Sequence, residues 1–207
     1  MKARILERPY LQYLLTKYRF PRSLVHRPIQ QFFRTYLDAA PVGARVLDAG
    51  CGSGIDTGPY ADRLRVLGVD CQHDYLAHCV RTYPRAAYVR CDVGRLALSS
   101  ASVDLIILNQ VIEHLADPVS AVAELSRVLA SGGRLTVATP NYAGWGWPLV
   151  EATYHRLFAR EFAAAENHVT HCTPELMRAY LGDVLVVERA ETICANMILV
   201  GSAKRLT

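Results

Sequence analysis

Short apolar runs recur along the chain near residues 45, 66, 103, 134, 184 and 193, and they alternate with stretches of helical character. Runs of this length without strict polar alternation read as strands buried on both faces. Their alternation with helices predicts a mostly parallel sheet covered by helices on both sides. The last two runs, 184–187 and 193–200, are separated by too few residues for a crossover helix, so an antiparallel hairpin is expected there. Near the start, apolar residues at 10, 11, 14, 15 and 18 follow helical spacing and predict an N-terminal helical cap within residues 1–40.

A chain of 207 residues is long enough to bury a sizeable core, and the pattern calls for no second one, so residues 1–207 are expected to form a single α/β domain. The longest apolar run falls short of the roughly 18 residues that span a bilayer, and the N-terminus has no secretory core, which predicts a cytoplasmic protein without stable membrane insertion. The six cysteines, at 51, 71, 79, 91, 172 and 194, form no Cys-x-x-Cys pair and are expected to stay thiols in a reducing compartment. Charge is uneven. Residues 1–40 hold eight Lys and Arg against Glu7 and Asp38, so the remainder is net acidic although the whole chain carries +4. With Tyr and Leu interleaved, that basic segment could meet a membrane surface or nucleic acid; a helical cap with a solvated basic face is the simpler reading. No nucleic-acid partner is expected, since no RNA-binding module is recognisable. Nothing in the pattern signals an oligomeric state.

The most specific stretch is Val46-Leu47-Asp48-Ala49-Gly50-Cys51-Gly52-Ser53-Gly54, an apolar run that opens onto three glycines. Glycine permits backbone angles closed to other residues and lets the main chain approach a ligand. Asp56, Thr57 and Pro59 then predict a helix start within 55–67, and 66–70 reads as a second buried strand ending in Asp70. An acid about 20 residues after the first glycine can accept both hydroxyls of an adenosine ribose. Either NAD or S-adenosylmethionine would fit such a loop. Asp48 at its mouth would repel a pyrophosphate but suits an ammonium, and the third glycine follows the second by two positions rather than three. Both features favour S-adenosylmethionine over a dehydrogenase cofactor.

On these residues the chain resembles the class I S-adenosylmethionine-dependent methyltransferases, in the small-molecule type related to the ubiquinone-biosynthesis enzymes. The resemblance continues through Arg90-Cys91-Asp92-Val93, through 102–115 with Glu113-His114-Leu115 and Asp117-Pro118, and through a helix near 118–129. The Gly turn at 131–133, a fifth strand at 134–138 and Thr139-Pro140-Asn141 complete it, covering about 42–141. It implies a Rossmann-like, doubly wound, seven-stranded sheet of order 3-2-1-4-5-7-6 whose last-numbered strand is antiparallel. It also implies S-adenosylmethionine as cofactor and S-adenosylhomocysteine as product. The cofactor site would comprise Asp48, Gly50, Cys51, Gly52, Gly54, Asp70, Cys71, Asp92, Val93 and Asn109, with Asp92 taking the adenine amino group and Val93 meeting the ring.

For catalysis, His114 is the first candidate base, since it lies past the fourth strand at the carboxyl edge where open α/β sheets bind ligands; its other reading is to cap that turn. The ubiquinone-type enzymes carry an acid three residues before the Glu-His pair, in a cluster that can hold a divalent metal. Gln110 stands there here, so no metal is expected. The loop 141–148, with Tyr142, Trp145 and Trp147, falls where relatives form a substrate wall and could stack on an aromatic ring or prenyl tail, or simply cover the sheet edge. A helix is expected over 151–165 and another from Thr173-Pro174-Glu175, with Thr173 as cap. Between them, His168 is a second base or substrate-contact candidate and His171 a substrate contact; Glu166, His168 and His171 lack diagnostic metal spacing. Residues 141–172 thus read as a substrate-side insertion. The expected activity is methyl transfer to a small molecule, most plausibly at oxygen, with nitrogen or carbon acceptors and a non-catalytic adenosyl-binding module as alternatives.

Overall fold

The computed structural model describes residues 23–150, 152, 168–182 and 184–204. The apolar stripe at 10–18, almost all of the helix expected over 151–165, and Glu166 lie outside the described residues. Helix α1 (Ser23–Ala39) leads into β1 (Arg45–Ala49), β2 (Arg65–Asp70), α2 (His73–Thr82), β3 (Ala87–Arg90) and β4 (Val103–Asn109). Then follow α3 (Pro118–Val128), β5 (Leu129–Pro140), α4 (Pro174–Gly182), β6 (Leu185–Ile193) and β7 (Asn196–Ala203). The seven strands form one sheet of order β3-β2-β1-β4-β5-β7-β6, parallel except that β7 runs antiparallel to both neighbours.

The buried strands alternate between two cores because successive side chains leave opposite faces of a sheet. On one face Leu47, Ala49, Ile106, Leu108 and Val137 pack with Val122 and Leu125 of α3 and Met177 and Leu181 of α4. On the other, Val46, Val66, Leu105, Ile107 and Val200 meet Ile29, Phe32, Phe33 and Leu37 of α1. Each such fully buried Leu, Ile or Phe contributes about 1.5–3 kcal/mol, so α1 is anchored by its four apolar contacts. Caps fix the helices that border the site: the Asp117 carboxylate accepts the Ser120 N–H at 3.0 Å, and the Thr173 hydroxyl accepts the Leu176 N–H at 3.3 Å.

Three local expectations change. The segment 55–64 is a run of turns around a 3₁₀ turn at Gly58–Tyr60, not an α-helix. Its N–H groups bond three residues back, Tyr60 to Thr57 and Ala61 to Gly58, and the Thr57 hydroxyl serves Asp48 instead of capping. Strand β5 starts at Leu129, directly after α3, and absorbs the Gly turn through a register shift opposite Val103 and Leu105. The hairpin is longer than its apolar runs, since β6 continues through charged residues on the sheet edge, where one face meets solvent. Its two-residue turn places Cys194 (φ 47°) and Ala195 (φ 66°) in the left-handed region that tight hairpins require. Among the described residues, no helix is long and apolar enough to cross a membrane.

Candidate active site

The glycine loop leaves the carboxyl end of β1 at the middle of the sheet. Gly50 and Cys51 both donate their N–H to the Val69 carbonyl, at 2.8 and 2.9 Å, which bends the chain sharply across the end of β2. Gly50 has φ +76°, and a Cβ there would lie 2.4 Å from a Val111 methyl group, so the loop and the turn after β4 are in direct contact. Gly52 and Gly54 share the positive φ. Asp48 is buried and accepts the Thr57 hydroxyl at 2.5 Å. That pairing was not read from the sequence, where Thr57 is only a candidate cap.

Asp70 ends β2 with its carboxylate oriented by two N–H donors, Gly52 to Oδ2 and Gln72 to Oδ1, each at 2.9 Å. Cys71 also hydrogen-bonds this carboxylate, through its side chain and its backbone. Burial raises the Asp70 pKa against the lowering effect of those bonds. Cys51 is buried against Cys79, whose thiol donates to the Gly52 carbonyl at 3.2 Å; the hydrogen bond with Cys79, then burial, pushes the Cys51 pKa up. Cys71 is exposed beside Asp70, and its carbonyl accepts the Arg90 side chain. Asp92 is exposed, oriented by the Gly94 N–H at 2.8 Å, and Val93 is buried. Asn109 donates to Asp56 at 2.9 Å, and Asp56 also accepts Gln30 of α1 at 3.4 Å. A buried acid that the sequence offered only as a cap therefore ties α1 to the end of β4. A narrow glycine turn, an oriented carboxylate at the end of the second strand and a buried acid under the loop fit an adenosyl ligand carrying hydroxyls and an ammonium.

The second half of the site forms after β4, where Gln110 (φ 57°) turns the chain into a one-turn 3₁₀ helix, Ile112–His114. Gln110 donates to Asn196 Oδ1 at 3.2 Å. Glu113 is fully buried: Oε2 accepts the Thr139 hydroxyl at 3.0 Å, Oε1 meets no partner among the described residues, and burial raises its pKa to about 8. Its backbone carbonyl accepts the N–H groups of Val169 and Thr170, at 2.9 and 3.0 Å, which fastens residues 168–170 over the strand ends. His168 is thereby brought to His114, their rings 5.0 Å apart. Burial, then the neighbouring His114 and His171, lowers the His168 pKa to about 4.

Tyr142 joins the two substrate-side segments. Its N–H donates to the Cys172 carbonyl at 2.9 Å, its ring stacks on His171 at 4.2 Å and 10°, and its hydroxyl lies 2.6 Å from His168 Nδ1. Trp147 is buried and donates Nε1–H to the Tyr142 oxygen at 3.0 Å. Of the expected wall, Tyr142, Trp147 and His171 thus gather around His168, while Trp145 stands 80% exposed at the start of the helical segment 146–150. Glu113, His114 and His168 each offer a metal-ligating atom, all within 4.8 Å of one another, a third ligand that sequence spacing did not reveal.

Residues 47–137 match the profile of the methyltransferase domain. The chain is 39% identical over 125 residues to a protein of Mycolicibacterium smegmatis named "Probable S-adenosylmethionine-dependent methyltransferase", covering 60% of this chain and 48% of that one. It is 32% identical over 116 residues to the demethylmenaquinone methyltransferase of Renibacterium salmoninarum, covering 55% and 49%. The chain thus spans about half the length of these curated relatives. In fold it is similar to the Synechocystis magnesium protoporphyrin IX methyltransferase solved with bound S-adenosylhomocysteine, with a TM-score of 0.68, 16% identity, and 89% and 88% of the two chains covered.

Proposed function

The chain carries a class I S-adenosylmethionine-dependent methyltransferase domain, and on that premise we propose that it methylates an oxygen of a small-molecule acceptor. The observation that carries this reading is the contact between Gly50 and Val111, which sets the glycine loop against the turn that ends in His114. A cofactor site and an imidazole pair therefore share one end of the sheet.

Bound S-adenosylmethionine supplies a methyl group on a sulfonium that is already a good electrophile, so the protein's task is alignment and exclusion of water. Asp70 would hold the ribose hydroxyls, Asp48 would suit the ammonium, and Asp92 and Val93 would hold the adenine. With that methyl supplied to the acceptor oxygen, His114 would take the proton of the acceptor hydroxyl. The substrate wall is Tyr142, Trp147 and His171, whose aromatic character supports an acceptor with a ring or prenyl tail. Residues 1–40 and 141–172 choose that acceptor. Six free thiols support a reducing, cytoplasmic setting for one domain over 1–207.

Transfer of labelled methyl from S-adenosylmethionine to a panel of phenols, enols, amines and carbon acids tests the proposal. Turnover restricted to hydroxyl acceptors, lowered about 10²–10⁴-fold by His114→Ala, is expected. Turnover of amines or carbon acids moves the acceptor atom, and binding of the cofactor without any turnover would leave an adenosyl-binding module.

A further inference from the structure

We infer that Asn196 is a positioning residue for methyl transfer: through the Gln110 side chain it locks the turn that carries His114 onto the β6–β7 hairpin, against which the substrate wall also rests. This rests on the methyltransferase reading and deepens it by naming what holds the two halves of the acceptor pocket in register.

Backbone strain marks the place. Among the described residues, four other than glycine have positive φ, and three of them, Gln110 (57°), Cys194 (47°) and Ala195 (66°), fall in one hydrogen-bonded cluster around Asn196. The left-handed conformation is unfavourable for a residue with a Cβ and persists where surrounding bonds over-determine it. A two-residue hairpin turn demands it at Cys194 and Ala195. Gln110 lies in no hairpin, and two bonds fix it: its N–H donates to the Ala138 carbonyl at 2.8 Å, and its side chain donates to Asn196 Oδ1 at 3.2 Å.

The polarity of that second bond is set by Asn196. The residue is fully buried, and its Nδ2–H donates to the Cys194 carbonyl at 3.1 Å. A carbonyl only accepts, so the Asn196 amide cannot be reversed, and Oδ1 requires a donor from Gln110. Gln110, which stands where the ubiquinone-type enzymes carry an acid, thus supplies an amide N–H that a carboxylate lacks. Because β4 and β7 are not neighbours, the bond passes over the end of β5, where Pro140 pairs with Asn196. The same hairpin braces the loop of the wall. The Ala195 carbonyl accepts the Asn141 N–H at 3.0 Å, Thr192 Oγ1 accepts Asn141 Nδ2–H at 3.1 Å, and a Cβ on Gly146 would lie 3.2 Å from Ala195 Cβ. Asn141 precedes Tyr142, and Gly146 precedes Trp147. One hairpin turn therefore carries the wall directly and the His114 turn through Asn196 and Gln110.

The test uses Gln110→Gly, which removes the tie while relieving the left-handed strain and is expected to melt close to the wild type, together with Asn196→Ala. Hydrogen exchange reads the tie without turnover. The amides of Val169 and Thr170, bonded to the Glu113 carbonyl in the tied turn, are expected to exchange roughly two- to tenfold faster in both variants, as loss of one hydrogen bond requires. Unchanged exchange in Gln110→Gly would overturn the inference. In the acceptor assay, kcat is expected to fall roughly ten- to a hundredfold through lost alignment, with cofactor affinity unchanged. The double variant should fall no further than the more affected single one, because both break the same tie. Additive losses, or cofactor affinity falling in step with kcat, would overturn the inference, the first because the two residues would act apart and the second because the tie would serve the glycine loop. Since exchange is read without an acceptor, absence of methyl transfer in the wild type would sink the functional proposal alone.

Discussion

Replacing Glu113 with Gln tests how the turn after β4 is held, through the dependence of stability on pH. Glu113 is fully buried with one oxygen on Thr139, and its pKa is raised from 4.5 to about 8 because burial disfavours the charged form. Below about pH 4.5 both folded and unfolded states hold the proton. Between there and about 8 only the folded state does, so stability falls as pH rises, by about 1.4 kcal/mol per unit. Over the whole interval that slope amounts to on the order of 5 kcal/mol, fully present below pH 4.5 and lost by about pH 8. Gln keeps the size and can still accept from Thr139 but does not titrate. Urea unfolding of both proteins at pH 5, 6, 7 and 8 measures the difference, which cancels other groups, including His168, whose lowered pKa acts in the opposite sense between about 4 and 6.5. The variant should gain on the wild type steadily across the series. Parallel curves would refute the claim that Glu113 is held protonated in the folded state.

Thr57→Val keeps the shape but removes the donor to buried Asp48, so unfolding by urea should show a loss of about 1–3 kcal/mol, with weaker S-adenosylmethionine binding. Gly50→Ala sets a Cβ 2.4 Å from Val111 at φ +76°, and the left-handed conformation alone costs about 1–2 kcal/mol; titration calorimetry should show cofactor affinity falling together with the melting temperature. Chelation should leave methyl transfer unchanged, since Gln110 supplies no carboxylate, burial favours the protonated form of Glu113 and His168 Nδ1 is engaged by Tyr142. Visible absorption on adding Co²⁺, lost in His168→Gln, would contradict that.

What could be read in advance follows from burial. Strands β1, β2 and β4 announce themselves because both faces are covered, which makes their sequences continuous apolar runs, and Asp70 stands out as a charge at the end of one. The turns at 55–64 replace the expected helix because Asp56 and Thr57, which have the chemistry of caps, are used by Asn109 and Asp48 from other strands. Strand β6 runs on through Glu188 and Arg189 because edge strands tolerate charge; there the Arg189 guanidinium lies 5.3 Å from the Phe32 ring. The approach of His168 to His114 depends on backbone bonds from Val169 and Thr170 to Glu113, which side-chain patterns do not encode. Trp145 and Trp147 are alike in sequence, and only the path of the chain decides that Trp147 reaches Tyr142.

The most direct test of the account is calorimetric titration of the wild type and Asp70→Ala with S-adenosylmethionine, S-adenosylhomocysteine and NAD. The account predicts that the first two bind and NAD does not, and that the substitution weakens binding at least about tenfold through loss of the ribose hydroxyl acceptor. Binding of NAD, or adenosyl affinity unchanged by Asp70→Ala, would contradict it.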